Sequence, residues 1–265
     1  MENMTNYATN LKSAISVNPT FKSICDYNID QFPENGYAKY YNQLGNGTAI
    51  LQTEEQLNTY LASYGDMHQH KLNLAFESLF SKEDFKNKSA EIIDWGCGQA
   101  LASGVLIDFV KNNNINLDLS KFTLLEPSEI ALQRGLLHID AIYQSRPKPD
   151  VFSINKKADD NLTLSNLHTN AEIKIHLLSN ILDLNSLDLD KVFKNITSNF
   201  SGLNYFVCVS PLNQSKLLKF YEMFENSILL SSNFSPIVNE VFRPSAMRKI
   251  MKSISRVEYI FKTNL

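Results

Sequence analysis

From residue 90 onward, short continuous apolar runs alternate with segments whose apolar residues recur every three or four positions. The continuous runs predict buried strands, and the wider spacing predicts helices that pack on one face. The predicted strands cover residues 91–95, 121–126, 151–155, 173–179, 203–210 and 256–262. Strands that alternate with helices favour an α/β fold, in which helices flank a mostly parallel sheet.

Helical spacing is clearest at residues 101–110, directly after the first predicted strand. Further helices are predicted over residues 130–137, 189–200, 215–227 and 246–253. Before residue 90 the chain reads as helical, with one helix over 54–64 and a second that Asp66 caps. The sequence therefore predicts an N-terminal helical extension or cap over residues 1–88 and a Rossmann-like domain over 89–265.

The composition and charge of the chain mainly exclude certain classes of binding partner. The chain has 265 residues, of which 43% are hydrophobic and 20% charged, as in ordinary soluble domains. Its net charge of −3 and the lack of a basic block give no strong nucleic-acid signature. Three distant cysteines, Cys25, Cys97 and Cys208, form neither a disulfide framework nor a zinc pattern, and no metal site is expected. Without a signal-peptide core or a run of membrane-spanning length, we expect a cytoplasmic protein with no membrane partner.

The most informative segment is residues 91–100, Glu-Ile-Ile-Asp-Trp-Gly-Cys-Gly-Gln-Ala, in which an apolar strand ends in an acid and a glycine pair. A helix follows at once, and such a turn presents backbone N–H groups to a nucleotide-like ligand. The dinucleotide fingerprint requires a glycine where Leu101 stands, so a dehydrogenase is disfavoured. A phosphate-binding loop requires Gly-Lys-Ser/Thr, which Gln99-Ala100 does not supply.

The pattern Asp94-x-Gly96-x-Gly98-x-Ala100, followed by Glu126 at the end of the second predicted strand, resembles class I S-adenosylmethionine-dependent methyltransferases. The usual motif has a third glycine where this chain has Ala100, a small residue that keeps the helix close. The resemblance covers roughly residues 65–215 and implies a Rossmann-like fold, S-adenosylmethionine as cofactor and methyl transfer as the reaction.

The resemblance also implies roles for particular residues. Asp94 supports the amino group of the cofactor's methionine end, and Glu126 accepts hydrogen bonds from the ribose hydroxyls. Gly96 and Gly98 allow a close backbone approach, and Cys97 contributes its backbone N–H. The remaining cofactor-binding candidates lie at the ends of two predicted strands. Pro127 follows the second one, and Ser179 and Asn180 come at the end of the strand over 173–179, which the resemblance makes the central strand of the sheet.

Several candidates keep an alternative interpretation. Asp94 could instead be the charge partner of a helix N-terminus, Glu126 a surface acid, and Asn180 the cap of the next helix. Asp159 and Asp160 follow the third predicted strand, where they are either adenine contacts or a solvated acidic pair.

His68 and Asn180 are the candidate catalytic residues. His68 lies in a polar segment with Tyr64 and Lys71, which either folds over the cofactor as a lid or is a polar helix face. In the lid, His68 could serve as a general base. His176 lies inside the central strand and is predicted to be a core histidine.

The predicted function is methyl transfer from S-adenosylmethionine to an unidentified acceptor, which is a small molecule, an RNA or a protein group. The alternative is a non-catalytic protein that binds S-adenosylmethionine or a partner and retains the fold, because a fold alone does not establish activity.

Overall fold

The computed structural model describes residues 2–32, 37–163, 171–211 and 214–265. Its helices are Glu2–Ala14 (α1), Phe21–Asp30 (α2), Tyr37–Gln43 (α3), Glu54–Lys82 (α4), Leu101–Asn112 (α5), Glu129–Ile142 (α6), Leu189–Asn199 (α7) and Gln214–Glu222 (α8). Its strands are Lys88–Trp95 (β1), Leu117–Leu125 (β2), Asp150–Ile154 (β3), Ile173–Ser179 (β4), Leu203–Ser210 (β5), Ile228–Asn233 (β6), Ile237–Arg243 (β7), Arg248–Ile254 (β8) and Val257–Asn264 (β9).

Seven strands form one sheet in the order β3-β2-β1-β4-β5-β9-β6. Strands β3, β2, β1, β4 and β5 pair in parallel, and β9 pairs antiparallel with both β5 and β6. The predicted α/β fold with a mostly parallel sheet is therefore confirmed. The chain runs outward from β1 to β3 and then returns to β4 on the other side of β1. In open sheets, ligands bind at the carboxyl ends of the strands where the order reverses in this way.

Helices cover both faces of the sheet. Ile92 and Ile93 are neighbours in β1, yet they lie in different hydrophobic cores because successive side chains of a strand point to opposite faces. The Ile92 core includes residues of α1, α2, α4, α5 and α6. The Ile93 core includes residues of α7 and α8. The centre of the sheet is thus buried on both sides, and its carboxyl-terminal edge is left for a ligand.

Helix α4 is one continuous helix of 29 residues, so the prediction of two helices separated at Asp66 is wrong. The helix begins at a capping box, in which Thr53 accepts from the backbone of Gln56 while the Gln56 side chain accepts from the backbone of Thr53. The Asp66 carboxylate caps no helix but accepts the backbone N–H of Phe242 at 2.8 Å. Neither α4 nor any other helix of the described segments is long and apolar enough to cross a membrane.

The N-terminal helices are joined tightly to the helix that follows the glycine turn. The Asp108 carboxylate in α5 accepts the backbone N–H groups of Phe21 and Lys22, each at 3.0 Å, and so satisfies the first turn of α2. The Phe21 ring lies against Gly104 of α5 and is fully buried. The division of the chain into residues 1–88 and 89–265 stays a prediction, and the described helices of the first part share a core with the sheet.

Strands β7 and β8 form a separate antiparallel hairpin, in which Val241 lies opposite Ile250. The prediction of a helix over residues 246–253 is therefore wrong, because most of this segment belongs to β8. Met, Arg and Lys favour a helix locally, but pairing with β7 overrides that preference. Neither β6 nor β7 is predicted by the spacing of apolar residues, since both expose much of their length.

Candidate functional site

Two adjoining cavities lie at the carboxyl ends of the parallel strands, at the reversal of strand order. The larger has a volume of about 240 Å³ and the smaller about 40 Å³. The residues that line both cavities are Tyr60, Gly96, Gly98, Gln99, Ser179 and Asn180. Of the predicted site residues, Glu126 and Pro127 line the larger cavity only, and Asp94, Cys97 and His68 line the smaller. The predicted residues are thus brought together around one site.

The glycine turn has the backbone geometry that the residue types suggest. Gly96 and Gly98 have φ angles of +64° and +53°, which favour glycine. A Cβ at Gly96 would lie 2.6 Å from the Ile181 side chain, whereas a Cβ at Gly98 would meet no atom within 4 Å. Ala100 also has a positive φ, of 59°. The open space at Gly98 allows a ligand to approach the backbone.

Glu126 follows β2 and is held by two backbone groups. One carboxylate oxygen accepts the N–H of Gly98 and the other accepts the N–H of Ser128, each at 2.9 Å. Burial raises the pKa of Glu126, although these two hydrogen bonds oppose the rise. Each oxygen retains a further lone pair, and the residue lines the larger cavity. These contacts disfavour the alternative of an ordinary surface acid.

The two carboxylate oxygens of Asp94 have different surroundings. Its Oδ2 accepts the backbone N–H of Ser103 at 3.1 Å and the Ser103 hydroxyl at 2.7 Å, in the first turn of α5. The interpretation of Asp94 as the partner of a helix N-terminus is therefore confirmed for this oxygen. The buried Oδ1 has no hydrogen-bond partner among the described residues. Burial raises the pKa of Asp94 to about 6.

The smaller cavity is rich in acceptors. Besides Asp94, it is lined by Gln99, whose amide nitrogen donates to the Leu57 carbonyl at 3.0 Å while its oxygen has no partner among the described residues. The resemblance implies that Cys97 contributes its backbone N–H to the ligand. This expectation is wrong, because that N–H donates to the Leu125 carbonyl at 2.8 Å. Unpartnered carboxylate and amide oxygens suit a group with several N–H donors, such as an ammonium.

Asn180 follows β4 and has a φ of +59°. It does not cap α7, whose N-cap is Asp188, so that alternative is wrong. Its amide oxygen accepts from Lys71 Nζ at 2.7 Å, and its amide nitrogen donates to Ser179 Oγ at 2.8 Å and to His68 Nδ1 at 3.4 Å. Burial lowers the pKa of His68 well below its usual value and lowers that of Lys71 to about 8.

Some of the residues that cover the larger cavity were not predicted from the sequence to belong to the site. Residues 47–51 line it, and the segment is fixed where the Ser128 hydroxyl donates to the Leu51 carbonyl at 2.5 Å. The signal for this turn was Gly45-Asn46-Gly47, three residues that all have positive φ. Tyr64 and Lys71, the other members of the expected lid, do not line either cavity, although Tyr60 of the same helix does.

Asp159 and Asp160, the two acids after β3, have different surroundings. Asp159 lines the larger cavity and accepts the backbone N–H of Asp188 at 3.2 Å. Asp160 is exposed and accepts the N–H of Lys157 at 2.8 Å, within its own turn. Asp159 is therefore available to a ligand in the larger cavity, and Asp160 belongs to the loop.

His176 is a core histidine, as predicted. Its Nδ1 accepts from the Trp95 indole N–H at 3.1 Å, and its Nε2 lies 2.9 Å from the amide oxygen of Asn204. Burial lowers the pKa of His176 to about 4, so the imidazole is neutral at pH 7. Both ring nitrogens are used within the protein, and His176 lines neither cavity.

Comparisons with protein-family models and with curated protein sequences give no match. Solved structures similar to the chain include a precorrin-6y C5,15-methyltransferase from Geobacter metallireducens, with 12% identity over 73% of this chain and 86% of that one and a TM-score of 0.46. Another is a class I S-adenosylmethionine-dependent methyltransferase, so described provisionally, from Listeria monocytogenes, with 13% identity over 87% and 70% and a TM-score of 0.42. A third is magnesium protoporphyrin IX methyltransferase from Synechocystis with bound S-adenosylmethionine, with 8% identity over 87% and 93% and a TM-score of 0.40. Similarities this low carry no inference about activity, and the Rossmann-like α/β fold stands on the order and direction of the chain's own strands.

Proposed function

We propose that the chain is a class I S-adenosylmethionine-dependent methyltransferase. The observation that carries the proposal is the meeting of Asp94, the Gly96–Gly98 turn and Glu126 around adjoining cavities at the reversal of strand order. These residues come from the ends of β1 and β2, and their chemistry matches different parts of one elongated ligand. A nucleotide-like ligand at this edge of the sheet agrees with the general behaviour of open α/β folds.

The residues present fit S-adenosylmethionine along its length. The free lone pairs of the Glu126 carboxylate would accept hydrogen bonds from the two ribose hydroxyls. The unpartnered Oδ1 of Asp94 would accept from the ammonium of the methionine end. Asp159, in the larger cavity, would accept from the adenine amino group. The open space at Gly98 would receive the chain between these ends.

When bound, S-adenosylmethionine supplies an electrophilic methyl group on a positively charged sulfur. The proposed contribution of the protein is alignment and exclusion of water. Ser179 and Asn180, at the end of β4, would flank the acceptor atom and hold it in line with the methyl group. Residues 47–51 and Tyr60 would close the cavity from solvent.

The proposal is tested by turnover. The purified chain is incubated with methyl-labelled S-adenosylmethionine in the presence of one fraction of a cell extract at a time. The fractions contain small molecules, RNA or protein. We expect label in one fraction and stoichiometric release of S-adenosylhomocysteine. Tight binding of the cofactor without transfer of label to any fraction would favour the non-catalytic alternative. If a Glu126→Ala variant gave the same yield of labelled product as the wild type, the label would come from a contaminant.

Asp94→Asn is expected to raise stability while it weakens cofactor binding. Asparagine keeps an oxygen for Ser103 and carries no charge, and the pKa of Asp94, raised from 3.8 to about 6, corresponds to about 3 kcal/mol of cost for the buried carboxylate. Because the folded pKa is raised, the stability that Asp94 contributes is complete below its unfolded pKa and is lost as the pH rises through about 6. The stabilising effect of Asp94→Asn, measured by urea unfolding, should therefore be small at pH 4 and reach about 1–3 kcal/mol at pH 7.

The same variant separates the two interpretations of Asp94 by its binding. In the wild type, affinity for S-adenosylmethionine should increase between pH 5 and pH 7 as Asp94 ionises toward the ammonium, and this increase should be smaller in Asp94→Asn. A variant that binds the cofactor as tightly as the wild type at pH 7 would reduce Asp94 to a partner of the α5 N-terminus.

A further inference from the structure

A chain of three polar side chains connects helix α4 to the smaller cavity. Lys71 is only 2% exposed, and its ammonium donates to the amide oxygen of Asn180 at 2.7 Å. The Asn180 amide nitrogen in turn faces Nδ1 of His68 at 3.4 Å. Of the three, Asn180 and His68 line the smaller cavity, beside Asp94. A buried lysine therefore acts on this cavity through two other residues.

Lys71 fixes the orientation of the Asn180 amide. An ammonium has donors and no acceptor, so the Asn180 atom that faces it must be the oxygen. The amide nitrogen must then face Ser179 Oγ at 2.8 Å and His68. Reversal of the amide would place donors against Lys71 and leave the buried ammonium without its partner, which is costly.

The fixed amide in turn selects one tautomer of His68. A proton on Nδ1 would oppose the N–H of Asn180 at 3.4 Å, whereas a bare Nδ1 accepts from it. The neutral ring consequently carries its proton on Nε2, which has no partner among the described residues. The plane of the ring is held by Tyr64, stacked at 6.0 Å between centroids, and by Tyr60, edge-on at 6.0 Å. His68 thus offers a single N–H donor from a ring of fixed orientation.

We propose that His68 donates this Nε2–H to the carboxylate of the methionine end of S-adenosylmethionine, with Lys71 as the positioning residue that sets the donor through Asn180. The inference rests on the proposed function and deepens it. The smaller cavity then recognises both charges of an α-amino acid, since Asp94 Oδ1 accepts from the ammonium and His68 donates to the carboxylate. A histidine that carries its free proton toward a carboxylate is not the general base of the reaction.

Three ligands separate the contributions by calorimetric titration. S-adenosylhomocysteine carries the ammonium and the carboxylate, decarboxylated S-adenosylmethionine carries the ammonium only, and 5′-methylthioadenosine carries neither. We expect His68→Phe, which retains a flat ring but has no donor, to weaken S-adenosylhomocysteine by about 10- to 100-fold, the range for a lost hydrogen bond to a charged group. The other two ligands should change by less than about threefold, within the usual scatter of distant effects.

Two further variants keep the test decisive if His68→Phe folds poorly. His68→Gln places an amide nitrogen near the position of Nε2 and should recover most of the affinity for S-adenosylhomocysteine. Lys71→Met should reproduce the selective loss, because the Asn180 amide is then free to turn. His70→Gln is the matched control, since His70 lies on the same helix, bonds to the Glu240 carbonyl and does not line either cavity.

A selective loss for the ligand with a carboxylate supports the inference. An equal loss for all three ligands in His68→Phe and Lys71→Met, or no loss, overturns it while the proposed function stands, as long as the wild type binds S-adenosylhomocysteine. Failure of the wild type to bind any of the three overturns both proposals.

Discussion

Glu126→Ala should weaken binding of S-adenosylmethionine by about 10- to 100-fold, which corresponds to about 1.4–2.8 kcal/mol. The lost carboxylate is the proposed acceptor for both ribose hydroxyls, and hydrogen bonds to an ionised acceptor are stronger than neutral ones. The variant also releases the N–H groups of Gly98 and Ser128, so the glycine turn loses its support at the same time. The dissociation constant from calorimetry near pH 7 is the measurement.

Glu129→Ala is the matched control for this variant. Glu129 follows Glu126 by three residues, is exposed, and accepts a hydrogen bond from the side chain of Gln133 in the next turn of α6. It does not line either cavity, so its removal should leave the dissociation constant within about twofold. The ribose is common to S-adenosylmethionine, S-adenosylhomocysteine and 5′-methylthioadenosine, and all three should lose affinity in Glu126→Ala. An unchanged affinity for all three would refute the assigned role.

Gly104→Ala should destabilise the protein by about 1–3 kcal/mol, as overpacking of a filled core usually does. An added Cβ would lie 2.2 Å from Cδ2 and 2.5 Å from Cγ of the Phe21 ring, which is fully buried. The better helix propensity of alanine, about 1 kcal/mol, offsets only part of this cost. The free energy of unfolding from urea titration is the measurement.

Gly65→Ala provides the contrast within another buried helix. A Cβ at Gly65 would lie 3.6 Å from Cys25 Sγ, which is an ordinary contact, so this variant should be neutral or up to about 1 kcal/mol more stable. In a Phe21→Ala background, Gly104→Ala should lose most of its cost, because the clash is with that ring. A Gly104→Ala variant as stable as the wild type would mean that α2 does not pack against α5 as described.

The fold was largely predictable because its core strands are buried on both faces. Each appears as a continuous apolar run, and the helices between them show a regular spacing that needs no knowledge of the partner. The errors lie in segments whose conformation is determined by contacts with residues far away in the sequence. The break at Asp66 does not exist, because its carboxylate bonds to β7 rather than to the start of a helix. The segment 246–253 pairs with a strand that the sequence pattern did not reveal.

The site was predictable only at the glycine turn and at the acid that follows β2. Gly96, Gly98 and Glu126 carry a local signal, because a turn with positive φ and an acid at a strand end can be recognised without the rest of the chain. The orphaned oxygen of Asp94, the cover formed by residues 47–51 and the contact of Lys71 with Asn180 depend on segments that are far apart in sequence. A pattern of residues within a single segment therefore does not predict these features.

The measurement that tests the central claim most directly is a calorimetric titration of the wild-type chain with S-adenosylmethionine, S-adenosylhomocysteine and NAD⁺. Binding of the first two at one site per chain, with no heat from NAD⁺, is the predicted result, since the turn lacks the glycine that a dinucleotide needs at the position of Leu101. Binding of NAD⁺ alone, or of none of the three, would contradict the assignment of the cavities to S-adenosylmethionine.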